Sequence, residues 1–548
     1  MSDAAVRHEV LDTAKSFCVT APAGSGKTSL LTQRVLALLV TVERPEQVLA
    51  ITFTRKAAAE MRERVMKALA AAKLGIQAEN EHEARTQSLA DAVLAHSRAL
   101  NWSLTAESLN IRTIDGLAAQ LNRVMPLLSG LGGGITVTDD LLPLYQKATS
   151  ELYELVGEES SRGEALRQLL LSMDNNWQRC SELLIELLGR RADWLPELGQ
   201  HTDPEGASQR LTATVQAVIS ERLSVLTETI DAHWLSELEQ QANSAIGRLR
   251  AYAESGLVEP EKVDVPLAPI QLSNEPAQLY SWQWVVRWIL TGSEKPRKRL
   301  DKNNGFQAKV DQTAKDDVLG LISTLEERTD WLDLLIEIAH LPITTSDDQE
   351  WQGVLHLSRV LPTLAAQLLT VFRSRRVVDH THIAMSAEAA LGTDEEPTDL
   401  ALRLDYQLVH ILVDEFQDTS QGQYRLLEKL CRGWSEHNYA NPQHPRTLFI
   451  VGDAMQSIYG FRYADVGLFL KAREEGIAGV QLNDRSLSRN FRSRGGVIDW
   501  VNQQFSSIVP EHGDRRLGVV PMTIAEATRS VGLEQAVEIH NFPDDQAR

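Results

Sequence analysis

Apolar positions follow two rhythms along this chain. Short unbroken apolar runs occupy residues 16–20, 47–53, 110–114, 409–413 and 447–451. Runs of this length, bounded by turn residues, predict buried strands of a parallel sheet. Helix-forming stretches follow the first three, beginning near Leu30, Thr54 and Asp115. From about 136 to 385 the rhythm changes. Leu141, Leu144, Tyr145, Ala148, Leu152, Leu155 and Val156 form one stripe at helical spacing. Similar stripes recur near residues 183–188, 211–226 and 332–338, with no repeat of fixed period. Gly132-Gly133-Gly134 marks the change of character. The pattern predicts an α/β fold with a parallel sheet, interrupted by a large all-helical insertion.

The first strand runs into Ala21-Pro22-Ala23-Gly24-Ser25-Gly26-Lys27-Thr28, and a helix follows. Strand, glycine-rich turn and helix make a phosphate-binding loop. Its backbone N–H groups and the helix N-terminus converge on one point and favour anionic oxygens there. Ala23, Gly24, Ser25, Gly26, Lys27 and Thr28 are the candidate nucleotide contacts. Lys27 is placed to reach the β- and γ-phosphates, and Thr28 to hold Mg²⁺. Nearly 390 residues later, the run 409–413 ends in Asp414-Glu415. Adjacent carboxylates at a strand's end complement such a loop: Asp414 as Mg²⁺ ligand, Glu415 to polarise the attacking water. Both motifs must meet at one nucleotide, at the carboxyl ends of neighbouring strands.

Three more blocks carry candidate chemistry. Phe53, Thr54 and Arg55 sit where a strand ends and a basic helix begins; taken alone they read first as a core Phe and a solvated amphipathic helix, and they also suit a nucleic-acid phosphate and a stacked base. Gln456 follows the strand near 447–453 and can sense the γ-phosphate. Tyr459, Phe461, Arg462 and Tyr463 come next and suit a stacking platform for single-stranded bases. Residues 485–494 contain four arginines and no acid. There Arg492 is a candidate to stabilise charge on the transferring phosphoryl group, and Phe491 to pack on adenine. The basic runs 295–299 and 373–376 read as solvated faces, and His380-Thr381-His382 lacks an evident third metal ligand.

Composition adds limits. The 548 residues are 43% hydrophobic and 24% charged, as in soluble globular proteins, and suffice for about three domains. The net charge of −20 excludes a basic DNA-coating protein, so nucleic-acid contacts require local basic strips. No sufficiently long apolar run or signal-peptide pattern is evident, so no membrane association is expected. Cys18, Cys180 and Cys431 are widely spaced and odd in number, as expected of a cytoplasmic chain without a disulfide framework.

These blocks, in this order, resemble the UvrD/Rep-like superfamily 1 helicases. Ala23 to Thr28 resembles motif I, Thr52 to Met61 motif Ia, and Asp414-Glu415-Phe416-Gln417-Asp418 motif II. Gly452 to Asp465 resembles motif III, and Asn490-Phe491-Arg492-Ser493 motif IV. The helical insertion and the Ala21-Pro22 start are most similar to the RecB/AddA branch, helicase–nuclease subunits of double-strand-break processing. The resemblance implies a RecA-like P-loop NTPase domain from 1–125 and 386–480, split by a helical insertion at 126–385. Residues 481–548 would begin a second motor domain. It further implies ATP- and Mg²⁺-dependent 3′→5′ translocation on single-stranded DNA in recombinational repair. Lys27, Glu415, Gln456 and Arg492 would carry the ATP chemistry. Phe53, Thr54, Arg55, Tyr459, Phe461 and Arg462 would contact the strand. Implied partners are single-stranded DNA, duplex ends and a RecC/AddB-like subunit. Departures are visible. Val6 and Arg7 fall where the family has an adenine-reading Gln, and Asp115 replaces the usual His of motif Ib. Nothing resembles motifs V or VI or a nuclease motif, so the chain reads as the N-terminal part of a larger protein. The alternative is a nucleotide-dependent DNA-binding module or switch without a motor of its own. A small-molecule kinase would leave the aromatics near 460 unexplained.

Overall fold

The computed structural model describes residues 3–124, 135–199, 204–259, 261, 264–344, 349–393, 396–458, 460, 464–506, 508–509, 520, 522–529 and 537–538. The apolar runs become β1 (Phe17–Thr20), β2 (Val48–Thr52) and β3 (Ile111–Thr113). β4 (Thr136–Val137) and β5 (Val377–Val378) form a small separate pair. β6 (His410–Val413), β7 (Thr447–Gly452) and β8 (Asn483–Ser486) complete the main sheet, and β9 (Arg489–Arg494) pairs with β10 (Glu526–Arg529). The main sheet has six strands in the order β3-β2-β6-β7-β1-β8, all parallel. The architecture is α/β, as the apolar runs predict.

The order corrects one expectation. β1 and β6, which lead to the loop and to Asp414, are not neighbours, because β7 pairs with both. β7 is fully buried along its length, so it suits the centre of a sheet covered on both faces. The sheet also runs past residue 480. Phe17 to Thr20 align with Asn483 to Ser486, so the loop strand has a partner on each side.

Five helices near the N-terminus frame the site: α1 (Asp3–Glu9), α2 (Lys27–Leu39), α3 (Arg55–Leu74), α4 (Glu81–Ala99) and α5 (Ile114–Val124). Leu30, Leu31, Val35 and Leu38 of α2 pack with Phe17, Val19, Phe449 and Val451 in one core cluster. Arg34 lies inside this core, fully buried. Its guanidinium donates to the carbonyls of Val10, Asp12 and Lys15, and lies 5.6 Å and 5.4 Å from the ring centroids of Phe17 and Phe449. Burial lowers its pKa to about 10, which leaves it charged at neutral pH.

The chain divides into two compact units. One comprises Met1–Tyr145, Ile185–Trp194 and Leu368–Arg548, and the other Gln146–Leu184 and Leu195–Gln367. The first reaches beyond residues 126 and 385 into the inserted sequence, and a buried cluster explains why. Arg191 pairs with Asp379 through both carboxylate oxygens, and Tyr145 donates to Asp379 Oδ2 at 2.6 Å. Burial alone would push the Asp379 carboxyl up. Arg191 and the hydrogen bonds from Tyr145 and the His382 amide instead hold it below the usual carboxylate range. In the second unit, Trp234, Trp282, Trp284, Trp288, Trp331 and Phe306 fill a helical core, with Trp284 and Trp288 stacked 5.8 Å apart.

Gln349–Arg375 is, by length and composition, long and apolar enough to cross a membrane. This departs from the expectation, because Arg359 and His356 interrupt the apolar run without lowering its average enough. Trp351, Val360, Leu361, Leu364, Leu368 and Phe372 of this helix are buried, whereas Val354 and Leu369 are exposed.

Arg191→Met strands the Asp379 carboxylate and lowers unfolding stability by about 3–5 kcal/mol. Replacing both charges with apolar residues recovers much of that loss. Chemical denaturation of the single and double variants checks both outcomes.

Candidate nucleotide site

β1 delivers the chain into the loop, and two glycines shape it. Gly24 and Gly26 both adopt φ 76°, the left-handed region that side chains avoid. Gly26 is the N-cap of α2, so the helix opens at Lys27 with its first N–H groups facing the loop. A Cβ at Gly24 would lie 2.7 Å from Asn490 Oδ1, so glycine is needed for close approach as well. Thr20 Oγ1 and Ser25 Oγ are buried without partners at the loop's entry and crest.

Lys27 meets the carboxylates despite the intervening strand. Its ammonium pairs with Glu415 Oε2 and lies 4.0 Å from Asp414 Oδ1. Asp414 continues from β6, and its amide donates to Ile51 of β2 at 2.9 Å. Glu415 has φ 54°, a strained conformation for a non-glycine residue, which turns its side chain back toward Lys27. The Glu415 amide donates to Asp414 Oδ1 at 3.0 Å. Burial pushes the Asp414 pKa up to about 6, against the opposing pull of Lys27, and burial with Glu415 nearby pushes Asp418 up to about 6. A buried carboxylate that loses so much hydration gains strongly from a cation. The buried Asp414 carboxylate beside Lys27 is therefore the group here that a bound cation would relieve.

Behind Glu415, Gln417 is almost fully buried, 1% exposed. Its Nε2 donates to Glu415 Oε2 at 2.9 Å, and its Oε1 accepts from the Asp453 amide at 3.0 Å. Gln456 donates to Asp453 Oδ2 rather than to Glu415. It is exposed at the sheet's edge.

The segment at 488–494 closes the other side. Asn490 Nδ2 donates to the Ala23 carbonyl at 2.8 Å, and the Phe491 amide to the Gly24 carbonyl at 2.8 Å. Arg492 begins against Gly24 and is exposed. The Phe491 ring is 44% exposed, with the Arg7 guanidinium 5.3 Å from its centroid. Arg7 also donates to the Ser25 carbonyl and pairs with Asp3 at 2.6 Å. Asp3 in turn accepts from the Ser488 amide at 3.0 Å. Arg7 thus braces loop and ring together. His82 of α4 meets the Ser29 hydroxyl and Gln33, at the first turns of α2.

The structure thus brings Ala23 to Thr28, Asp414, Glu415, Phe491 and the base of Arg492 together. Phe53, half-buried, and Thr54 and Arg55, exposed, follow β2 at the same edge of the sheet. The Thr54 hydroxyl caps α3 by accepting from the Ala57 amide at 3.1 Å. Tyr459, Phe461, Arg462 and Tyr463 lie outside the described residues. Asp115 pairs with His380 at 3.1 Å. Arg373, Arg375 and Arg376 are exposed, as their run suggests. Sequence reasoning assigned no role to Asp3, Arg7, Gln417, Asp453 or Asn490. Their contacts join segments far apart in the chain, and no local pattern of apolar and polar positions marks them.

The sequence profile of the UvrD/REP helicase N-terminal domain matches residues 2–261 and 291–476. The chain is 28% identical over 541 residues to an ATP-dependent helicase/nuclease subunit of Desulfitobacterium hafniense, covering 91% of this chain and 35% of that protein. Proteins of the same name from Latilactobacillus sakei and Anoxybacillus flavithermus are each 26% identical. They cover 93% and 92% of this chain, and the chain spans 55% and 40% of their lengths.

The raised pKa of Asp414 has a stability consequence. The native state holds this proton more tightly than the unfolded chain, so stability falls as pH rises from 3.8 to about 6. Asp414→Asn removes the penalty. It should raise the stability of the nucleotide-free protein at pH 8 by on the order of 1–3 kcal/mol. The gain should fade as the pH approaches 4, and thermal melts at both pH values check it.

Proposed function

The chain belongs to the UvrD/REP helicase family, and from that premise we propose that it is an ATP-dependent DNA helicase or translocase motor acting in DNA repair. The observation that carries the reading is the pairing of Lys27 with Glu415 beside buried Asp414, at the sheet edge that also bears Phe53. Lys27 and Glu415 neutralise each other. A triphosphate offers the ammonium a more highly charged partner, and the loop amides from Ala23 to Thr28 surround its oxygens. Glu415, released from Lys27, then orients the attacking water. The water oxygen bonds to the γ-phosphorus, the bond to the β–γ bridging oxygen breaks, and the water's proton passes toward Glu415. Asp414 and Thr28 would hold Mg²⁺, which when bound offsets charge on the phosphates. Phe491 offers a ring for adenine, and Arg492 an exposed charge for the γ-phosphate.

On the DNA side the reading assigns Phe53, Thr54 and Arg55 to a single strand, with Tyr459, Phe461 and Arg462 completing the platform. Gln456 links that segment to the nucleotide. Movement 3′→5′, action at duplex ends, a partner protein like RecC or AddB, and a cytoplasmic location complete the proposal. The resemblance of the blocks supports the polarity and the DNA substrate, and the name of the relatives, which describes one subunit of a helicase/nuclease, supports a partner protein.

The test is ATP turnover by the chain with and without single-stranded DNA. DNA should stimulate turnover, and Lys27→Ala should abolish it. Glu415→Gln should still bind nucleotide while losing roughly 10²–10⁴ in kcat. Undiminished turnover in Glu415→Gln would overturn the assignment.

A further inference from the structure

We infer that Gln417 is the positioning residue for Glu415, and that it links the Glu415 carboxylate to the end of β7. The inference rests on the assignment of Glu415 to the attacking water. Its basis is a continuous hydrogen-bonded path. Gln417 Nε2 donates to Glu415 Oε2 at 2.9 Å, and Gln417 Oε1 accepts from the Asp453 amide at 3.0 Å. Asp453 Oδ2 then accepts from Gln456. Glu415 and Gln456 are therefore the two ends of one path, although they share no direct contact in it.

The requirement for an amide follows from the two ends. One needs a donor to meet a carboxylate, and the other an acceptor to meet a backbone N–H. At neutral pH, among side chains of this length, only glutamine supplies both at once. The space is fitted to it. A Cβ on Gly452 would lie 2.4 Å from Gln417 Oε1, and the Ser457 hydroxyl donates to the Gln417 carbonyl at 3.3 Å. Glu415 Oε2 is shared between Lys27 and Gln417. Once Lys27 turns to phosphate, the Gln417 N–H is what still holds that oxygen. A shift of residues 453–457 is then transmitted to the carboxylate that orients the water.

The test compares the wild-type chain with Gln417→Met and Gln417→Glu, both close to the original volume. Binding of a fluorescent ATP analogue, thermal melting, and ATP turnover with a saturating thymidine oligonucleotide are followed from pH 6 to 9. Both variants should keep the analogue's Kd and lose roughly 10²-fold in kcat, the loss expected for a misaligned reacting group. The carboxyl introduced by Gln417→Glu faces Glu415, Asp418 and Asp453, with Lys27 and Asp414 beyond Glu415. It should be deprotonated and repelled at high pH, and regain a donor as the pH falls. The ratio of its kcat to wild type should therefore rise toward pH 6, while the ratio for Gln417→Met stays flat. A merely structural role would change melting and leave both ratios flat. Wild-type kcat in Gln417→Met, or flat ratios for both, overturns the inference alone. Absence of ATP turnover in the wild-type chain overturns the functional reading and this inference with it.

Discussion

A loop that points its amides at one spot is electrostatically unfavourable until an anion arrives, so something else must hold it meanwhile. Here the holding contact is Asn490 against Gly24. The left-handed turn at Gly24 opens room for the carboxamide, which grips the Ala23 carbonyl while its oxygen accepts the amides of Arg492 and Ser493 at 2.9 Å. Arg7 performs the matching task from α1 by holding the Ser25 carbonyl. The loop's shape thus depends on segments hundreds of residues apart. So does the position of Lys27, and with it the pairing with Glu415.

The site is built against its own stability. Glu415 keeps a left-handed backbone, and Asp414 and Asp418 are carboxylates in surroundings that disfavour their charge. Such features persist only where the surrounding structure over-determines them. The support is the central sheet, whose buried strands β6 and β7 leave these residues little freedom. The stability given up at the edge is what a site poised for polyphosphate and metal would require.

Much of this was legible in the sequence. Unbroken apolar runs located the sheet strands 17–20, 48–52, 111–113, 410–413 and 447–452 to within a residue or two. Such runs respond to burial, and burial in a parallel sheet is nearly complete. β8 escaped because Asn483 to Ser486 is a polar edge strand with no apolar rhythm to betray it. The insertion of β7 between β1 and β6 escaped because strand order is a pairing property that no local pattern encodes. Arg34 reads as one more charged helix residue. Its role appears only when three carbonyls of the preceding turn and two phenylalanine rings close around it. Gln417 and Asn490 stood inside recognised blocks, but their bonds span the fold.

The sheet order also sets a timetable for the ribosome. Phe17 to Thr20 find their hydrogen-bonding partners only at Phe449 to Gly452 and Asn483 to Ser486. At about 5–20 residues per second, the first strand emerges and then waits roughly 20–90 s for a neighbour. Its apolar side chains, Phe17, Cys18 and Val19, are fully buried in the finished protein and have no such cover during synthesis. β2 and β3 can pair much sooner, since Ala50 aligns with Ile111. A nascent chain of this design carries an unpaired apolar strand until β7 has been made, which leaves that strand open to the unwanted association that holding chaperones prevent.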